Sequence, residues 1–243
     1  GQPMDAKKEI DAVMSLQKYQ QNPEASYAKA KIYNAIAWDP ALSGQFADAR
    51  MTAFQALKKY TEIDDKMLIA LQDDSYKPIN EIYRGFYQTA ANRFNSQQYK
   101  EALEEFTNAI SVSTFMTQKG WINLPLDTNS VLFAGVAAEK LQRLNDAANY
   151  YSMLIDHRIN KEGFAEIYKW VANYYYGNKN TAKASHYILL GKEVYPSDPF
   201  WTTLEFDVLK EKGNKEELFA FYEKVIDAEP ANYLYRYNYA VAL

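Results

Sequence analysis

The sequence predicts an all-α protein: an α-α superhelix, a right-handed solenoid of antiparallel helix pairs. Three observations carry that expectation. First, Tyr168 to Pro230 falls into register with itself when shifted by 34 positions. Tyr175 then lands on Leu209, Tyr187 on Phe221, Ile188 on Tyr222 and Pro196 on Pro230. A period of that length belongs to a stacked helical repeat. Second, amphipathic helical stretches come in twos, joined by short polar turns. Third, helix breakers are scarce, with 9 glycines and 8 prolines in 243 residues. A solenoid needs only repeats times period to reach this length, so one domain over 1–243 is the expected organisation.

The elements follow in order. Asp5 to about Tyr19 reads as a helix, with Ile10, Val13, Met14 and Leu16 on the apolar side. Asn22-Pro23 ends it. The segment 5–24 is expected to cap the first exposed apolar face. The first pair, 25–60, has a helix through Trp38, stopped by Asp39-Pro40, then a second helix from Phe46 to about Tyr60. Asp64 to Lys77 is an insertion, with Met67, Leu68, Ile69 and Leu71 forming a short turn on the array. The second pair, 79–112, turns at Asn95-Ser96-Gln97-Gln98. Ser113 to Asp127 is a second insertion without helical period, apolar enough to lie on the array as an ordered loop. Its Trp121 is expected to cover part of a groove or to brace the second and third pairs. The remaining pairs are 128–158, 164–196 and 199–230, the last turning at Gly213-Asn214. Residues 231–243 begin another first helix, as a cap or as part of a longer array.

Small residues recur at fixed places in these pairs. The first helices carry Ala37, Ala90, Gly135 and Ala172, and the second helices Ala49, Ala102, Ala147 and Ala184. Four residues later stand Ala53, Phe106, Tyr151, Ile188 and Tyr222, and three further on Ala56, Ala109, Leu154, Gly191 and Val225. This pattern resembles the tetratricopeptide repeat, over about 27–243. It departs from the family at Phe206 and Leu218, where small residues are usual, and the first three pairs lack the closing proline. Successive second-helix anchors at 49, 102, 147, 184 and 218 exceed the 34-residue spacing by 19, 11, 3 and 0, which locates the insertions. Small side chains let paired helices approach to about 8–10 Å.

Composition narrows the functional classes. A net charge of -4 argues against a nucleic-acid binder, which needs a basic face. With no cysteine there is no disulfide, thiolate metal site or cysteine nucleophile. His157 and His186 lie too far apart for a helical metal pair, and the doublets Asp64-Asp65 and Asp73-Asp74 read as caps or solvated loops. No phosphate-binding glycine loop occurs. No catalytic constellation, metal site or cofactor is expected, nor a transmembrane segment, since no apolar run nears the roughly 20 residues that span a bilayer. Gly1 looks like a remnant of tag removal, consistent with an exported, periplasmic protein or a trimmed cytoplasmic domain.

The resemblance implies that first helices line a concave face. Non-core positions there are Arg84, Tyr87 and Gln88, then Asn129 and Phe133 with Val136. Lys169, Trp170, Asn173 and Tyr176 follow, then Phe200, Thr203 and Asp207. Lys169 and Asn173 match two residues of a carboxylate clamp found in some peptide-binding family members. Leu204, Leu234 and Asn238 break the rest of it, so C-terminal carboxylate recognition is not expected. The expected function is a non-catalytic scaffold binding a protein or peptide partner. The alternative is an extracytoplasmic carbohydrate or small-ligand binder stacking on Trp121, Trp170 and Tyr176.

Overall fold

The computed structural model describes residues 2–64 and 68–243; Asp65 and Met67, in the expected first insertion, lie outside them. Among the described residues every regular element is helical. The chain divides into two compact units, 1–147 and 148–243.

In the first unit, α1 (Gln2–Ser15) ends four residues before the expected Tyr19, and a 3-10 turn follows at Gln17–Tyr19. Ile10 is its buried anchor, while Leu16 is exposed. Asn22 caps α2 (Pro23–Trp38) by accepting from the Ala25 amide at 2.7 Å, and Pro23 occupies the first turn, where no amide donor is required. α3 (Ala49–Ile63) starts three residues later than the sequence suggests, because Phe46 and Ala47 belong to the turn. α4 (Ile69–Asp73) is the short element of the insertion, anchored by buried Leu68 and Leu71. α5 (Lys77–Asn95) and α6 (Tyr99–Gln118) form the second pair.

The second insertion corrects the sequence reading. Ser113 to Gln118 is helical and continues α6. Ala109, Val112, Ser113 and Met116 are buried at helical spacing, so the stripe outlasts the repeat. Gly120, at φ +71°, then ends the helix as the Trp121 amide donates back to the Met116 carbonyl at 2.9 Å. Trp121 packs on Phe115 (5.4 Å between ring centroids) and Tyr76 (5.3 Å), bracing α6 against the α4–α5 junction. α7 (Thr128–Lys140) follows, capped by Asp127.

α8 (Leu144–Asp156) carries the boundary between the units. The second unit continues with α9 (Phe164–Gly177) and α10 (Thr181–Val194), then α11 (Phe200–Lys212) and α12 (Lys215–Ala228). α13 (Tyr233–Ala242) ends it and buries none of its residues.

The small-residue anchors lie where the helices meet. Ala90, Ala102, Ala147, Ala172 and Ala184 have no exposed surface, and Phe106, Tyr151 and Ile188 are nearly as buried. The departures Phe206 and Leu218 are half-buried. A backbone feature repeats with them. Gln97, Gln142, Lys179 and Gly213 all adopt left-handed φ of +59 to +70°, each five residues before its second-helix anchor. At the first three the chain reverses as the following amide donates back to the first helix, Gln98 to Arg93 at 2.8 Å, Arg143 to Ala138 at 2.9 Å and Asn180 to Tyr175 at 2.9 Å.

Gly191 shows how tight the packing is. A Cβ on it would lie 2.4 Å from the Trp201 ring, and Trp201 is 1% exposed. Gly191→Ala should therefore destabilise the protein by about 1–3 kcal/mol in chemical denaturation, because the indole cannot move aside. Gly177→Ala, with open space around it, serves as the control and should be neutral or slightly stabilising. Equal denaturation midpoints for the two variants would contradict this packing.

Candidate partner-binding groove

In the first unit, α2 and α5 present an open concavity. Positions 31, 34, 35 and 38 of α2 share one face, since residues three, four and seven apart align on a helix. Lys31, Asn34 and Trp38 meet Lys77 and Glu81 from α5 around a cavity of about 250 Å³. A second cavity of about 390 Å³ shares Lys77 and Glu81 and reaches Arg84.

The polar groups here are fixed by one another. Lys31 Nζ lies 2.8 Å from Asp74 Oδ2, and the Tyr27 hydroxyl donates to the same oxygen at 2.6 Å. Lys31, then Tyr27, hold the Asp74 carboxyl below its ordinary range. Asn34, almost fully buried, donates from Nδ2 to Glu81 Oε2 at 2.8 Å. The Arg84 guanidinium lies 5.0 Å from the Trp38 ring, within cation–π range. The buried Trp38 indole N–H has no hydrogen-bond partner.

The other sequence-named positions fall into different environments. Gln88 and Asn129 are exposed. Tyr87 is half-buried, stacked on Tyr83 at 6.3 Å and edge-on to Phe106 at 6.0 Å. Phe133 wedges between Phe94 (5.3 Å) and Phe106 (5.6 Å), so much of its ring serves packing among α5, α6 and α7.

In the second unit, Lys169 lies 2.8 Å from Asp198 and 3.1 Å from Glu166, with the Phe200 ring 5.6 Å below. Asp198, then Glu166, raise the lysine pKa, and Lys169 in turn lowers that of Asp198. Asn173, one turn on, is exposed. Trp170 meets Tyr151 edge-on at 5.2 Å and lies almost parallel to Tyr174 at 5.4 Å and 4°. Tyr176 is half-buried with Lys179 over its ring at 6.0 Å. Asp207 is half-buried, and Thr203 is exposed on the rim of an apolar cavity of about 240 Å³ among α11, α12 and α13. His157 and His186 are both exposed.

Of the named positions only Arg84 reaches the α2–α5 concavity. Lys31, Asn34 and Trp38 belong to the first pair, the most degenerate copy of the repeat, and Lys77 and Glu81 to the first turns of α5, before the named Arg84. The available signal was the 31-34-38 spacing on a helix already recognised. No described helix is long and apolar enough to cross a membrane.

No family model matches the chain, and no curated protein does. Among solved structures, one titled "Functional Characterization of Pseudomonas Aeruginosa pilF" aligns at 13% identity and a TM-score of 0.37. The alignment covers 87% of this chain and 97% of that one.

The ring contacts of Trp170 generate a stability expectation. Trp170→Ala should cost about 1–3 kcal/mol, less than a fully buried tryptophan, because part of the indole surface is open. Thermal melting unchanged from wild type would mean that Tyr151 and Tyr174 gain nothing from it.

Proposed function

We propose that the protein is a non-catalytic scaffold whose first-helix faces bind a protein or peptide partner, with the α2–α5 concavity as the main contact. The carrying observation is the Trp38–Arg84 pair, which lies beside the Lys31–Asp74 and Lys77–Glu81 ion pairs along α2 and α5. Tryptophan and arginine dominate binding energetics at interfaces, and fixed polar neighbours lower the ordering cost of association. The chemistry suits an extended segment that sets an apolar side chain near Trp38 and lays its backbone along the polar flanks. The resemblance to tetratricopeptide repeats supports the same reading. Secondary contacts are proposed at Asn173, Tyr176, Thr203 and Asp207 in the second unit and at Tyr87, Gln88 and Asn129 in the first, while Phe133, Trp170 and Lys169 are already engaged with their neighbours.

The carbohydrate alternative draws less support. A sugar platform needs an open ring face, and one face of Trp170 is covered by Tyr174, while Trp121 meets two other rings.

The test is affinity for a partner recovered with the native chain, measured again with Arg84→Glu. Arg84 is exposed and outside the core, so melting should stay close to wild type. Binding should weaken about tenfold or more. Unchanged affinity would remove the α2–α5 face from the interface.

A further inference from the structure

A second concavity in the first unit is built from other surfaces. The α2–α3 turn, the start of α3, the later half of α5 and the first half of α6 border an open cavity of about 370 Å³. Its charged lining is Arg50, Arg93 and Glu105. Arg50 Nε, Arg93 Nε and Glu105 Oε2 are buried without hydrogen-bond partners. Among the described residues no ion pair within 4.0 Å joins Glu105 to either arginine.

Arg50 is fixed in place. Its Nη1 donates to Thr89 Oγ1 and its Nη2 to the Ala37 carbonyl, both at 3.1 Å. The guanidinium stands 5.6 Å from both the Trp38 and Phe86 rings. It also passes across Gly85 in mid-α5, where a Cβ would come within 2.2 Å of Nε. Glycine there leaves room for the guanidinium.

All three side chains are half-buried, and a charged group with a polar atom buried and unpartnered is costly, so proteins ordinarily pair or neutralise it. Here two cations and one anion face the same space without meeting. Burial holds the Glu105 carboxyl above its ordinary range, outweighing the downward pull of Arg50 and Arg93. A ligand that brings a cation to Glu105 and anions to the arginines would compensate all three. The complement of two positive charges and one negative is two carboxylates and one ammonium. The cavity is the size of a small-molecule site.

We propose that this cavity binds a free acidic amino acid, with its two carboxylates on Arg50 and Arg93 and its ammonium on Glu105. The site is separate from the α2–α5 groove, so it does not depend on the scaffold reading.

The test is calorimetric titration and thermal melting of the whole chain with L-glutamate and L-aspartate. Succinate, glycine and inorganic phosphate serve as comparisons. One or both acidic amino acids should bind saturably and raise the melting temperature. Arg93→Gln should weaken that binding about tenfold or more. Glu105→Gln should weaken the amino acid but leave any succinate binding unchanged, because succinate carries no ammonium. Absence of saturable binding by either amino acid overturns the proposal. So does equal affinity for phosphate or succinate in the wild type, or wild-type affinity in both variants. If Arg93→Gln melts well below wild type without ligand, the amino acid and succinate affinities of Glu105→Gln decide the matter.

Discussion

Close approach at small residues is the constraint on which the structure depends. Where Gly191 lacks a side chain, the Trp201 ring enters and α11 can lean on α10. Where Ala102 and Ala109 keep α6 slim, α5 can lie against it, and Phe106 fills the space between them and α7. Burying one such ring contributes roughly 1.5–3 kcal/mol. Ordering each residue of the chain costs about 1–2 kcal/mol. A single helix pair offers too few rings to offset that, so stability comes from each pair covering the next.

That constraint decided what could be read from the sequence. A recurring small residue leaves a mark in the text of the chain, and Ala90, Ala102, Ala147, Ala172 and Ala184 all proved buried where the register put them. The departures were legible too, since Phe206 and Leu218 are half-buried where alanines elsewhere are sealed. The left-handed turns were not. Their spacing matches that of the anchors, but Gln97, Gln142 and Lys179 do not announce positive φ as Gly213 does. The end of α6 was missed because the repeat suggested a boundary at 112, whereas Val112, Ser113 and Met116 kept the helix going. For the groove, the repeat register named first-helix positions without saying which were already occupied. Phe133 and Trp170 are engaged with neighbouring rings, and Lys169 with two carboxylates.

The same logic sorts the aromatic residues. Many rings in this tyrosine-rich chain pack against other rings, as Phe106, Phe133 and Trp170 do, so a high aromatic content is a poor guide to a binding face. Of the rings left outside, Tyr233 and Tyr237 are the exposed ones of α13. Trp38 bridges the two concavities of the first unit: Arg84 approaches its ring from the groove, and Arg50 approaches it from the charged cavity.

The most direct measurement concerns the dependence of one helix pair on its neighbours. Residues 164–196, comprising α9 and α10, can be prepared as a peptide and followed by circular dichroism beside the whole chain. With Tyr151 and Trp201 gone, the peptide should show little helix and no cooperative melt. A peptide that held the full helical signal of α9 and α10 and unfolded cooperatively by itself would contradict mutual support as the source of the fold.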